Sequence, residues 1–394
     1  MQAIPTFVLD EWLRQHAPQC SIMLHGSTAA TLSLDDLKQL SPESTSDPID
    51  RSQPLSYGPG VGSLTLRQRI ADLHSANEVA LAADNVVITT GSILANYLAL
   101  SSFLGKGDHA ICQYPTYGQL YDLPRHLGVE ISFWKSSAGQ KWMPDLKDLA
   151  SLVRPNTKAI IITNPCNPSG TVLTRSMLEG IVAVAKQHNL TVFSDEVFRP
   201  LFHSRHAEQP PSVAALGYEK VVCTSSVSKA HGLPGIRVGW VVSPDPQIIQ
   251  RIIVARDYTT ISVSQLDQGV AAFALSPDIL PRLLEQNLGR CAKGIALLDA
   301  FVRQNSKWCQ WVPPEGAGVG FIRIHDNNGE PIDDADFCGR LARERGICIV
   351  PAGLSFTGDG GNDLKGYVRI ALSDWPELEA GLPVIAQFLA SYMA

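Results

Sequence analysis

None of the eight cysteines of this 394-residue chain stands in a C-x-x-C pair. They are Cys20, Cys112, Cys166, Cys223, Cys291, Cys309, Cys338 and Cys348, and several sit in apolar runs such as Val222-Cys223 and Ile347-Cys348-Ile349. Buried free thiols are therefore expected, not staples or zinc ligands. The ten histidines show no ligand spacing on a shared helix face, so no metal site is expected. No apolar run approaches the length of a membrane span, and residues 1–10 lack the basic and long apolar regions of a signal peptide. A reduced, cytoplasmic compartment is the expectation. Basic charge is not in excess either: 32 Lys and Arg stand against 38 Asp and Glu, a net charge of -6. That balance argues against nucleic acid or an anionic membrane as the main partner. Internal repeats and low-complexity tracts are absent.

What is present is the pattern of a large α/β protein. The length suggests two or three domains and a core that needs no covalent support. Helical spacing at Phe7, Leu9, Trp12 and Leu13 predicts a first helix over 7–16, and residues 41–54, rich in Ser, Pro and Asp, read as a connection. A second helix is predicted from Leu64 to His74, with Ser63 as its N-cap. From there short β-branched runs alternate with helical ones. Val86–Thr90, Ala110–Gln113, Ala159–Ile162, Leu190–Ser194 and Val238–Val242 read as strands, and Lys220–Thr224 carries the chain toward the last of them. The first of these runs into Gly91-Ser92-Ile93 at the start of a helix, where free N–H groups and the helix dipole can face an anion. Ile347–Gly353 and Tyr367–Ala371 are read as later strands.

One stretch carries chemistry: Ser226-Val227-Ser228-Lys229-Ala230-His231-Gly232-Leu233-Pro234-Gly235-Ile236-Arg237-Val238-Gly239-Trp240. A lysine follows two serines and precedes an arginine by eight residues. Its amine suits a Schiff base with an aldehyde. Ser226 and Arg237 suit a phosphate, the arginine as a bidentate clamp. The glycines and Pro234 keep the intervening loop tight.

This segment resembles the cofactor-lysine segment of the class I/II aminotransferases, enzymes of fold type I that use pyridoxal 5'-phosphate. The similarity extends over nearly the whole chain and includes Asn164-Pro165-Cys166-Asn167-Pro168-Ser169-Gly170. Within the family it is greatest toward the capreomycidine synthase-like branch, through Glu11-Trp12-Leu13, the Gly232–Trp240 run, the Asp257–Ser264 loop and Phe198. The resemblance implies a large domain with a mostly parallel mixed sheet over 50–275. It implies a small α+β domain from 276–394, joined by part of an N-terminal arm over 1–49. Lys229 would carry the cofactor and Asp195, at a strand's carboxyl end, would pair with its ring nitrogen. Gly91, Ser92, Ile93, Ser226, Ser228 and Arg237 would surround the phosphate. Tyr117 would stack on the ring and Asn167 would bond its hydroxyl. Gly26, Asn167 and Arg369 would face the substrate, with Arg369 on its α-carboxylate. Tyr57 would reach the phosphate of a partner subunit, implying a homodimer with shared sites.

Phe198 departs from the family, where most members have a tyrosine whose hydroxyl meets the same ring oxygen as Asn167. The implied activity is transamination of an L-amino acid. The alternative is β-elimination or cyclisation of a hydroxylated or β-substituted amino acid, as in the capreomycidine synthase-like branch. A non-catalytic regulator that binds the same cofactor is a third reading, weakened by the acidic charge and the short stretch before Tyr57.

Overall fold

The computed structural model describes residues 4–41, 47–76, 79–204, 209–358 and 362–394. The connection expected over 41–54 thus lies partly outside the described residues. Thirteen strands are described: β1 (Ile22–Met23), β2 (Val86–Thr89), β3 (His109–Tyr114), β4 (Glu130–Lys135), β5 (Thr157–Thr163), β6 (Thr191–Asp195), β7 (Val221–Ser226), β8 (Gly239–Val242), β9 (Cys309–Trp311), β10 (Val319–Ile324), β11 (Ile347–Cys348), β12 (Val350–Pro351) and β13 (Tyr367–Ala371).

Seven of them form one sheet in the order β2-β8-β7-β6-β5-β3-β4. Only β8 runs against its neighbours; the other pairings are parallel. Strands buried on both faces are largely apolar, and β2, β3, β7 and β8 are buried at every residue, with polar side chains such as Gln113 and Ser226 gathered toward the carboxyl ends of β3 and β7. Side chains alternate between faces, so successive residues of one strand join different cores. Ile160, Ile162 and Val192 pack on one face with Leu178 and Ile181 of the helix Arg175–His188. Ile161, Phe193 and Val222 pack on the other with Ala95 and Leu98 of the helix Gly91–Phe103. The expected Ser63 cap is in place, its Oγ accepting from Leu66 N, and Asn189 ends the helix Arg175–His188 in the left-handed region at φ 58°.

A second sheet, antiparallel in the order β12-β13-β10-β9, packs with the helices Leu280–Gln304 and Trp375–Tyr392. The first helix is Val8–His16, and its Trp12 Nε1 donates to Ile349 O at 3.3 Å. Just after it, β1 pairs in parallel with β11. The stretch read as a single strand over 347–353 is instead two two-residue strands followed by the short helix Ala352–Ser355. Ile347 and Val350 belong to different sheets, so the chain changes sheet at Ile349. The parallel sheet presents the carboxyl ends of β5, β6 and β7 together. Thr163 lies beside Asp195, and Asp195 beside Thr224.

Candidate active site

A cavity of about 420 Å³ lies at that edge, between the carboxyl ends of the parallel strands and β13 of the second sheet. Asp195 closes its floor. The carboxylate is 4% exposed and accepts from Asn96 Nδ2 at 3.0 Å and from Val197 N at 3.1 Å. Burial pushes its pKa up to about 6, against the pull of those two donors. No ion pair of Asp195 is described, so a buried anion points into the cavity without a cation bonded to it.

Lys229 follows the end of β7 and opens to the same cavity, where its Nζ donates to Ser27 Oγ at 3.0 Å. Burial lowers its pKa to about 8; the nearby charges of Arg369 and Arg237 push the same way and Asp195 opposes them. Arg369, on β13, is 3% exposed. Its Nη1 donates to Asn167 Oδ1 at 3.0 Å and its Nη2 to His25 O at 2.6 Å, while Nε is buried without a partner. Burial brings this guanidinium down to about 10. Asn167 lines the cavity, and Phe198 (2% exposed) packs on Val197, Ala317 and Val319. Tyr117 stands in the wall with its ring edge-on to Phe7 at 5.2 Å.

The anion end is built from backbone. Gly91 takes φ +77° at the start of its helix, and a Cβ there would lie 2.5 Å from Arg237 Nη2. Gly239 on β8 crosses behind it so closely that a Cβ would meet Gly91 C at 2.4 Å and Ser92 N at 2.6 Å. Only glycine at both places lets the strand, the helix start and the arginine converge. Ser92, Ile93, Ser228 and Arg237 line the cavity at this end. Ser226 lies just beneath, its Oγ accepting from Ser228 N at 3.2 Å. Gly26 lines the opposite wall. Tyr57 does not: it is 83% exposed, on a loop away from the cavity of its own chain.

Several polar residues of the wall were not among the candidate site residues. Asn96 links Asp195, Gln119 and Thr224, whose Oγ1 donates to Asn96 Oδ1 at 2.6 Å. Its place four residues after Ser92, on the same helix face, was the available signal. Ser27 adjoins Gly26, and Asp10 and His25 bring a carboxylate and an imidazole to the mouth. Behind Asp195, His74, Glu196 and Cys223 come near enough to suggest metal ligands. Trp240 Nε1 donates to His74 Nε2 at 3.0 Å, so the other ring nitrogen carries the proton toward Ser212 and Glu196. That geometry is a hydrogen-bond network.

The family described as Aminotransferase class I and II matches residues 29–380. The chain belongs to this family. Among class I and II relatives, capreomycidine synthase from Streptomyces vinaceus is 29% identical, over 99% of this chain and 95% of that one. A PLP-dependent aminotransferase from Streptococcus suis superposes with a TM-score of 0.87 at 32% identity, covering 99% of each chain. The PLP-dependent cyclase OrfR shares the fold with a TM-score of 0.86 at 24% identity, over 100% of this chain and 99% of that one. The aminotransferase cofactor is pyridoxal phosphate, and the residues present fit it. Asp195 offers a buried carboxylate for a protonated ring nitrogen, Lys229 an amine for the aldehyde, and the Gly91–Ser92 helix start with Arg237 a seat for phosphate.

Proposed function

We propose that this enzyme transfers the amino group of an L-amino acid, using Lys229 to move the α-proton. Pyridoxal phosphate supplies, when bound, an aldehyde that condenses with amines and a ring that withdraws electrons from bonds at the α-carbon. The single observation behind the reading is the convergence of the Lys229 amine, the Asp195 carboxylate and the Arg369 guanidinium on one cavity. Arg369, with Nε free of partners, takes the α-carboxylate and sets which α-bond faces Lys229. An amine with a pKa of about 8 is neutral in a useful fraction near neutral pH, as a proton acceptor must be. Asp195 keeps a positive partner on its carboxylate, and Asn167 offers its amide to a ring oxygen.

A second reading, elimination or cyclisation at the β-carbon, is favoured by two observations. Phe198 places an apolar ring where a hydroxyl donor is usual, and the similarity to capreomycidine synthase covers almost the full chain. Asp10, whose carboxylate makes no hydrogen bond or ion pair with a described residue, suits a cationic substrate side chain under this reading, as in a hydroxylated arginine. A product survey decides between the two. Incubation with common amino acids, a 2-oxo acid acceptor and β-hydroxylated basic amino acids should give oxo acids and the pyridoxamine form of the cofactor. Ammonia or water loss with a cyclised product, and no pyridoxamine form, would establish the second reading instead.

The architecture we infer is a large domain over 50–275 and a small one from 276–394 with part of the arm over 1–49. It pairs as a homodimer whose Tyr57 serves the neighbouring site. The eight free thiols suit a reducing, cytoplasmic setting.

A further inference from the structure

Ser27 lies outside both the lysine segment and the Asn164–Gly170 run, yet its hydroxyl bonds the amine on which the whole site depends. Loop serines usually bond their own or neighbouring backbone, in caps and turns. Ser27 caps no described helix, and the partner described for its Oγ is Lys229 Nζ, 202 positions away, at 3.0 Å. The residue is 8% exposed.

The segment around it is also held by four hydrogen bonds, at Leu24, His25, Ala29 and Leu32. Ala371 N donates to Leu24 O at 2.8 Å and Arg369 Nη2 to His25 O at 2.6 Å. Ala29 N donates to the carbonyl of Lys229 itself at 2.8 Å, and Leu32 N to Gly232 O at 3.1 Å. Gly318 lies close enough that a Cβ there would stand 3.4 Å from Ser27 O. The segment therefore joins the loop that carries Lys229 to the strand that carries Arg369, and the hydroxyl sits at the junction.

A hydroxyl both donates and accepts. It can accept from an ammonium and donate to a neutral amine, so one group serves both protonation states of the lysine. An alanine could do neither, and the flexible four-carbon stem of Lys229 would then swing among rotamers in the cavity.

We propose that Ser27 is a positioning residue for Lys229, holding the amine, whenever it is free, between the cofactor seat and the Arg369 end of the cavity. The proposal rests on the assignment of Lys229 as the cofactor lysine. It adds that the direction of the amine is set by a side chain outside the lysine segment, on the substrate wall.

The test compares the full-length wild type with Ser27→Ala and Ser27→Thr, the second of which keeps the hydroxyl. Borohydride reduction of the loaded enzymes, followed by peptide mapping, reports first on the underlying assignment: all three should retain the cofactor on Lys229. The loaded enzymes are then followed for exchange of the substrate α-hydrogen with deuterated solvent at saturating amino acid. Ser27→Ala should exchange about tenfold more slowly at unchanged substrate affinity, the cost of one hydrogen bond to a charged group. Ser27→Thr should exchange at close to the wild-type rate. In the cofactor-free chain, the pH dependence of Lys229 acylation by acetic anhydride gives a readout independent of turnover. Loss of the acceptor should move its midpoint down by about one unit in Ser27→Ala and leave Ser27→Thr in place. Trapping on a lysine other than Lys229 in the wild type would overturn the cofactor assignment and this proposal with it. Normal trapping at Lys229, with exchange and acylation unchanged in Ser27→Ala, would overturn the role of Ser27 alone. Failure of Ser27→Thr to restore either property in a protein of wild-type thermal stability would do the same.

Discussion

Asp195 shows how one buried carboxylate couples cofactor and stability. Its folded pKa of about 6 lies above the ordinary value of 3.8, so the folded, cofactor-free protein binds a proton more tightly than the unfolded chain does. Stability from this group is complete below about 3.8 and is lost as the pH rises through about 6. Asp195→Asn, which cannot ionise, should remove that slope. In the cofactor-free protein the variant should gain on the wild type across this window, by at most about 3 kcal/mol at pH 8. Denaturant unfolding at several pH values checks this, and a constant difference would contradict it. Asp195 was readable from its strand, because a carboxylate at the end of a buried apolar run has few structural uses. Asn96, Ser27 and Asp10 were not. Asn96 and Ser27 sit in ordinary-looking segments and acquire meaning only from partners far along the chain, Asp195 and Lys229, and Asp10 only from its place in the cavity wall.

Elements succeed or fail here by how closely they approach one another. Five strands of the large sheet, β2, β3, β5, β6 and β8, were apparent as short runs rich in apolar residues, since burial on both faces favours such residues. Edge strand β4 escaped notice because Glu130 and Lys135 are exposed and, Trp134 apart, its apolar residues are only partly covered. The short strands β11 and β12 were merged because a continuous apolar run carries no mark of a change of sheet. The contact of β8 with the helix start at Gly91 is different in kind, since backbone meets backbone with no side chain able to yield. Gly239→Ala should therefore push the 91–92 turn away from Arg237. Overpacking of this kind costs roughly 1–3 kcal/mol, and the phosphate seat should weaken with it. Thermal unfolding with and without pyridoxal phosphate reads both effects: a lowered midpoint, and a smaller gain on adding cofactor than in the wild type. An unchanged gain would show that the seat does not depend on this approach.

The whole molecule presents an apolar surface that a single chain leaves uncovered. Leu55 (82%), Tyr57 (83%) and Tyr258 (89%) are exposed. Their two segments lie side by side, with Gln265 Nε2 donating to Ser56 O at 2.8 Å and Gly60 against Ile261 O. Such a patch suits a second copy of the chain. If Tyr57 serves the neighbouring site, mixing Lys229→Ala with Tyr57→Ala chains creates hybrid dimers with one intact site. Two inactive preparations should then recover roughly one quarter of the wild-type sites. No recovery after verified subunit exchange would assign each site to a single chain. All of this depends on Lys229 as the residue that holds the cofactor. The most direct measurement is borohydride reduction of the loaded enzyme, followed by digestion and mass spectrometry. The account predicts a single modified peptide, with pyridoxyl phosphate on Lys229, and none in Lys229→Ala. An adduct on any other lysine, or none in a wild-type protein that retains the cofactor, would contradict it.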